Sequence, residues 1–150
     1  ICGEIQFEDQ TYKNNMLRKI TDANLKERIL FIGKKPFEDL PKLFQGMTVV
    51  AALSRNEGYG LTPLEGMASG AAVLTSSEGV WDELVRDGID GYIVKTNDVY
   101  QTTERLNTLI KNSSKTKIMG KNAAKYILEN FSVEKEAAQI IQHIRDVQNI

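Results

Sequence analysis

The sequence predicts an α/β fold, a doubly wound parallel sheet with further helices at its carboxyl end. Short apolar runs alternate with amphipathic segments before Val99, and parallel strands require such crossover helices on both faces of the sheet. The run at 48–52 contains no charged residue, which is typical of a strand buried on both faces. Ligands of such sheets bind at the carboxyl ends of the strands, so the loops after the strands are the candidate sites.

The predicted elements alternate along the chain and become helical from Val99 onward. Strands are expected at 1–3, 28–32, 48–52, 71–75 and 92–94. Helices are expected at 10–23, 62–69, 81–86, 99–111, 115–130 and 133–148, and a short amphipathic turn at 38–44. Gly70 and Gly88 follow two of these helices and suit left-handed C-terminal caps. Ser132 is the expected N-cap of the last helix.

Composition predicts one soluble globular domain. The 150 residues are 41% hydrophobic and 26% charged, which excludes disordered and collagen-like chains. Nineteen basic and 20 acidic side chains give a formal charge of −1, so no global field attracts nucleic acid.

Cys2 is the single cysteine, which excludes an internal disulfide and favours a reducing cytoplasm. With one histidine and no carboxylate cluster of ligand spacing, no metal site is expected. The chain begins at Ile1 without a signal-peptide pattern.

The loop after the strand at 48–52 has the features of a binding site. Gly58 and Gly60 flank Tyr59, and two glycines let the backbone approach a ligand closely. Thr62 is the predicted N-cap of the next helix, with Pro63 at its first position. The amides and the partial positive charge of that helix N-terminus would then face the cleft, an arrangement that binds phosphate.

Two common phosphate motifs do not fit this sequence. The dinucleotide motif fails because Pro63 occupies its third glycine position. The nucleoside triphosphate loop fails because Gly120-Lys121 precedes Asn122 and lacks a glycine five residues before Gly120. Another phosphate-containing ligand is therefore expected.

The same loop and helix resemble the signature of retaining nucleotide-sugar glycosyltransferases of family four, which have the GT-B fold. The matching residues are Glu57-Gly58-Tyr59-Gly60-Leu61, Glu65, Met67-Ala68, Gly70 and Val73. Ser54-Arg55 and the stretch 60–65 look most like lipopolysaccharide-core mannosyltransferases, and the resemblance covers nearly the whole chain. Ala72 departs from the family, which usually has a proline there for structural reasons.

This resemblance implies that residues 1–150 are the nucleotide-sugar-binding, Rossmann-like C-terminal domain. The N-terminal acceptor domain and the first strand-helix unit would lie outside the chain, so the 150 residues alone are expected to be inactive. The implied reaction is retaining transfer of a sugar, mannose from GDP-mannose, to a glycolipid or oligosaccharide acceptor of lipopolysaccharide type. No cofactor, metal or nucleic acid is expected, and the implied location is cytoplasmic or peripheral at the inner face of the cell membrane.

The resemblance also assigns roles to individual residues. Glu57 is the implied catalytic residue and accepts hydrogen bonds from hydroxyls of the donor sugar. The amides of Gly58, Tyr59, Gly60 and Leu61 would face the sugar and diphosphate. The chemistry agrees, because a carboxylate accepts from two neighbouring hydroxyls and sugars offer them in pairs.

Glu65 is the implied ligand of the ribose hydroxyls, and Gly33, Lys34 and Lys35 are the implied lining of the base pocket. Glu65 has an alternative role as the capping-box glutamate of its own helix, three residues after Thr62. The residues alone support the two roles of Glu65 equally.

Two further alternatives stay open. The reaction could be that of an epimerase or phosphorylase of the same fold, or the chain could be a non-catalytic nucleotide-sugar-binding or interaction module. The presence of both Glu57 and Glu65 argues against such a module without deciding the question. Between Glu104 and Glu129 the chain has six basic and no acidic residues, and Lys117, Lys121 and Lys125 share one helical face. A solvated face is the favoured interpretation, and weak contact with an anionic membrane or a phosphorylated glycolipid is the other.

Overall fold

The computed structural model describes residues 1–2 and 10–148, which the backbone divides into two compact units, 1–40 and 41–150. The helices are α1 (Gln10–Asp22), α2 (Leu40–Gln45), α3 (Thr62–Ala68), α4 (Trp81–Leu84), α5 (Val99–Lys111), α6 (Ser113–Asn130) and α7 (Val133–Gln148). The strands are β1 (Val49–Ala52), β2 (Ala72–Ser76) and β3 (Gly91–Val94), and Phe37–Asp39 form a short 3-10 turn. Most predicted elements are therefore present within one or two residues of their expected bounds.

The first unit contains α1 and the segment at 28–32, which the sequence predicts as a strand. The structure assigns no strand there among the described residues. The amide of Ile32 nevertheless donates to the carbonyl of Ile1 at 2.9 Å, and the amino group of Ile1 donates to the carbonyl of Leu30 at 2.7 Å. Two bonds of this pattern join parallel segments, so Ile1 is hydrogen-bonded to residues 30–32 without a continuous ladder. The predicted strand at 1–3 includes Gly3, which lies outside the described residues.

The second unit is built on a parallel sheet with the strand order β1-β2-β3. Val50 pairs with Val73, and Leu74 pairs with Tyr92. All five residues of β2 are buried, as expected for the central strand of a parallel sheet. Helix α3 packs against β1 and β2, α6 against β2 and β3, and α5 against β3. The predicted α/β class with a parallel sheet and flanking helices is confirmed.

Three predicted helix ends can be compared with the structure. Gly70 follows α3 with a φ of 88°, and the hydroxyl of Ser132 accepts from the amide of Lys135 at 3.3 Å, as predicted. The prediction for Gly88 is wrong, because Val85 is already extended and α4 ends at Leu84. Gly88 instead lies in the turn before β3, where its amide donates to Gly91 at 2.8 Å.

This turn is closed by an ion pair between Arg86 and Asp90, and Arg86 also contacts α6. Asp90 is fully buried, and its two carboxylate oxygens accept from Nε and Nη2 of Arg86, each at 2.7 Å. The hydrogen bonds that Arg86 donates to Asp90 raise the pKa of Arg86. The guanidinium also lies over the ring of Tyr126, 4.2 Å from its centroid. Charge and ring together anchor the connection between α4 and β3.

No helix in the described part of the chain is long and apolar enough to cross a membrane.

Candidate functional site

Two loops meet at the carboxyl ends of β1 and β2. Residues 53–61 follow β1, and residues 77–80 follow β2. The hydroxyl of Ser76 donates to the carbonyl of Ser54 at 2.7 Å. Gly79 has a φ of 76°, and a Cβ at this position would lie 2.8 Å from the carbonyl oxygen of Glu57. The second loop therefore packs directly on the backbone of the glycine-rich loop.

Glu57 has a half-buried side chain with one hydrogen bond. The hydroxyl of Ser54 donates to Oε2 at 3.0 Å, and Oε1 accepts no hydrogen bond from any described residue. A carboxylate offers about four acceptor positions on its two oxygens. Most of the acceptor capacity of Glu57 is thus available for a ligand.

Gly60 closes the loop over this side chain. Its φ is 47°, and a Cβ there would lie 2.6 Å from Cδ of Glu57. A side chain at this position would meet both backbone strain and a steric clash. The second glycine of the motif is therefore required by its contact with Glu57.

The backbone of the loop offers unpaired donors. Within the described chain, the amides of Gly58, Tyr59, Gly60 and Leu61 donate to no protein acceptor. Tyr59 and Leu61 are 54% and 58% exposed, so this stretch lies at the surface. Successive unpaired amides form a concave site suited to an anion. The loop thus combines one carboxylate acceptor with several backbone donors.

The structure corrects the predicted cap of α3. The N-cap residue is Leu61, which already has helical backbone angles, and no side chain caps the helix. Thr62 is consequently the first helical residue, and Glu65 lies four residues after the cap instead of three. The predicted capping box is therefore wrong. The half-buried carboxylate of Glu65 has no hydrogen bond to any residue that the structure describes.

The remaining predicted residues lie in the other unit. Gly33, Lys34 and Lys35 are exposed, and Gly33 has a φ of 66°. They belong to residues 1–40, whereas Glu57 and Glu65 belong to residues 41–150. The base pocket thus stays a prediction. Residues 1–2 and 10–148 contain no group of three or more His, Cys, Asp or Glu side chains that could hold a metal ion.

Sequence reasoning overlooked the residues that hold Glu57. Ser54 was detectable, since it precedes Glu57 by three residues in the same turn. Ser76 and Gly79 carry no such local signal, because only the pairing of β1 with β2 brings them to the loop.

The basic face of α6 is solvent-exposed, as expected for its lysines. Lys117, Lys121 and Lys125 lie opposite the buried residues of the helix, and Lys125 approaches Glu129 at 3.8 Å. Two large apolar side chains lie among them, Ile118 at 58% and Leu128 at 68% exposure. The exposed face of α6 is therefore basic and also carries two apolar side chains.

The chain is similar to known proteins along most of its length. The chain is 34% identical over 140 residues to the lipopolysaccharide core biosynthesis mannosyltransferase LpcC of Rhizobium leguminosarum bv. viciae, covering 93% of this chain and 39% of that protein. It is 28% identical over 142 residues to LpsB of Rhizobium meliloti, a protein with the same description, covering 93% and 40%. The chain therefore spans about two fifths of the length of these relatives.

Solved structures share the fold. Anabaena Alr3699/HepE in complex with UDP superposes with a TM-score of 0.85 and 27% identity, covering 97% of this chain and 40% of that one. The C-terminal domain of the group 1 glycosyl transferase LpcC from Francisella tularensis gives 0.77 and 28%, covering 83% and 65%. The fold is that of the C-terminal, Rossmann-like domain of GT-B glycosyltransferases. The sequence pattern of the family "Glycosyl transferases group 1" matches residues 1–126, so the chain belongs to this family.

Proposed function

We propose that this chain is the donor-binding part of a retaining glycosyltransferase that moves mannose from GDP-mannose to a glycolipid of lipopolysaccharide type. The observation that carries the proposal is that one loop presents both the carboxylate of Glu57 and several backbone amides without a protein acceptor. The relatives described as lipopolysaccharide core mannosyltransferases support the sugar and the acceptor class.

Each group at the site has a distinct task in this proposal. Glu57 accepts hydrogen bonds from hydroxyls of the donor sugar, and the amides of residues 58–61 bind the sugar and the diphosphate. Glu65 accepts from the ribose hydroxyls, since its carboxylate has no partner in the described part of the protein. Such a site lowers the barrier by orienting the donor and stabilising the departing diphosphate. No metal or cofactor takes part.

The nucleotide of the donor is the point most open to test. Alr3699/HepE has been solved with UDP and with UDP-glucose, whereas the sequence relatives are described as mannosyltransferases. Calorimetry with GDP-mannose, UDP-glucose and ADP-heptose separates the candidates. We expect GDP-mannose to bind most tightly. Tighter binding of another donor would contradict the assignment, and binding of none would favour an interaction module.

We also propose that the acceptor is held by a further domain. The chain spans about two fifths of its relatives, which supports a donor half that needs a partner domain for transfer. The 150 residues alone are expected to bind the donor without transferring sugar. Transfer of radiolabelled mannose by these residues to a lipid extract would contradict this.

We propose that the basic face of α6 makes weak contact with an anionic membrane, such as the inner face of the cell membrane. Lysines attract acidic headgroups, while Ile118 and Leu128 are placed among them to enter the interface. We expect the protein to sediment with phosphatidylglycerol vesicles and not with phosphatidylcholine vesicles, and to dissociate at high salt.

Replacing Lys117, Lys121 and Lys125 by Gln should abolish this sedimentation. The matched control replaces three exposed lysines from other elements, Lys42, Lys95 and Lys135, and should have little effect. Equal sedimentation of both triple variants would contradict contact through α6.

A further inference from the structure

Glu57 needs an external restraint to act as a precise acceptor. A glutamate side chain has several rotatable bonds and loses considerable rotamer freedom when it is fixed. Its position on a loop gives it no support from its own secondary structure. The contacts around its carboxylate therefore decide its orientation.

Ser54 supplies the hydrogen bond that orients this carboxylate. Its hydroxyl donates to Oε2 of Glu57 at 3.0 Å, at the long end of the range of O–H···O hydrogen bonds. Oε2 is engaged by this bond, and Oε1 accepts no hydrogen bond from any described residue. The hydroxyl thus selects one orientation of the carboxylate out of several.

Ser54 is itself held by the central strand. The hydroxyl of Ser76, which is 2% exposed at the end of β2, donates to the carbonyl of Ser54 at 2.7 Å. Since β2 is paired on both sides, by β1 and β3, Ser76 belongs to a well-supported part of the sheet. A continuous series of hydrogen bonds runs from β2 through Ser76 and Ser54 to Glu57.

Two glycines complete the restraint by close approach. Gly60 leaves room for Cδ of Glu57 on one side, and Gly79 leaves room for its carbonyl oxygen on the other. Any Cβ at either position would displace the glutamate or the loop. The backbone and the side chain of Glu57 are thus both confined by neighbouring loops.

We infer that Ser54 is a positioning residue that orients Glu57 towards the donor sugar, and that Ser76 fixes Ser54 for this purpose. The inference rests on the proposed function, in which Glu57 binds hydroxyls of the donor sugar. Ser54 then affects recognition of the sugar and leaves recognition of the nucleoside diphosphate unchanged. A merely structural serine would not produce this difference.

A double-mutant cycle tests the inference. Affinities for GDP-mannose and for GDP are measured by calorimetry for the unmodified protein, Ser54→Ala, Glu57→Ala and the double variant. Because Ser54→Ala removes one hydrogen bond to a charged group, it should lower the affinity for GDP-mannose about tenfold and the affinity for GDP less than about twofold. In the Glu57→Ala background, Ser54→Ala should have no further effect.

Further variants separate the hydroxyl from loop stability. Ser54→Thr keeps the hydroxyl and should retain affinity within about threefold, because the donor to Oε2 remains. Ser76→Ala should weaken GDP-mannose by about threefold through Ser54. Ser114→Ala, which removes an exposed hydroxyl from α6, is the matched control and should have no effect. Thermal unfolding verifies that each variant is folded.

The outcomes distinguish the inference from the proposed function. If Glu57→Ala weakens GDP-mannose while Ser54→Ala leaves it unchanged, or if the two losses add, Ser54 does not act through Glu57 and the inference is overturned. If Glu57→Ala weakens GDP-mannose and GDP equally, the proposed role of Glu57 fails, and the inference fails with it.

Discussion

Two carboxylates in the second unit of the protein have opposite surroundings. Asp90 is fully buried, and both of its oxygens bind the Arg86 guanidinium. Glu57 is half-buried, and one of its oxygens binds a single serine hydroxyl. Asp90 is paired with a cation of the protein, whereas Glu57 has no ion-pair partner among the described residues and most of its acceptor capacity is unused. The difference separates a carboxylate that stabilises the fold from one that is available to a ligand.

The largest expected effect is loss of stability on removing the buried carboxylate. Asp90→Ala should lower the free energy of unfolding by about 3 kcal/mol, the lower end for a broken buried pair, because Arg86 is 42% exposed and can be rehydrated. Urea unfolding measures the change. The control Asp82→Ala removes an exposed carboxylate from α4 and should change stability by less than about 0.5 kcal/mol. Equal effects of the two variants would contradict the structural role of Asp90.

A smaller loss of stability with a large loss of binding is expected at the glycine-rich loop. Gly60→Ala should lower the free energy of unfolding by about 1 kcal/mol, because its φ is 47°. It should weaken GDP-mannose more than about tenfold, since the new methyl group displaces the carboxylate of Glu57. Gly58→Ala, where no atom lies within 4 Å of the added Cβ, is the control for unfolding and should leave stability unchanged. A normal GDP-mannose affinity in Gly60→Ala would argue against the packing of Gly60 on Glu57.

Glu65 tests whether the second glutamate belongs to the fold or to the site. Because α3 has no side-chain cap, Glu65→Ala should change the free energy of unfolding by less than about 0.5 kcal/mol. A capping-box glutamate would instead cost about 1 kcal/mol on removal. Urea unfolding distinguishes the two values. A loss of about 1 kcal/mol would show that Glu65 caps its own helix.

The smallest expected effect concerns Glu134, an exposed carboxylate that accepts hydrogen bonds at the N-terminus of α7. The backbone amide of Glu134 and then the hydroxyl of Ser132 lower the pKa of Glu134 below its ordinary value of 4.5. Its contribution to stability is therefore complete above pH 4.5 and is lost as the pH falls through the lowered pKa. Ser132→Ala should raise this pKa towards 4.5, as an NMR titration of the side-chain carboxyl would measure. An unchanged pKa would exclude a contribution from Ser132.

The sequence predicted the elements better than the contacts between them. The apolar run at 48–52 and the helix at 99–111 were visible from local periodicity alone, and the structure contains both. The capping box at Thr62 failed because the backbone of Leu61 becomes helical one residue earlier than the side-chain pattern indicates. α4 ends at Leu84 because Val85 is extended and begins the turn that Asp90 and Arg86 hold.

The candidate site was predictable only in part, for a related reason. Glu57 and its glycines form one continuous motif, so they could be recognised as a unit. Ser76 and Gly79 reach the loop only because β1 and β2 are neighbours and parallel. No spacing along the chain encodes such a contact between distant segments.

The central claim is that Glu57 recognises the donor sugar while Glu65 recognises the nucleotide. Calorimetry of GDP-mannose and GDP with Glu57→Ala and Glu65→Ala tests it most directly. We predict that Glu57→Ala weakens GDP-mannose about tenfold or more and leaves GDP nearly unchanged, since it removes hydrogen bonds to the sugar alone. Glu65→Ala should weaken both ligands by the same factor. Identical losses for the two variants on both ligands would contradict the account.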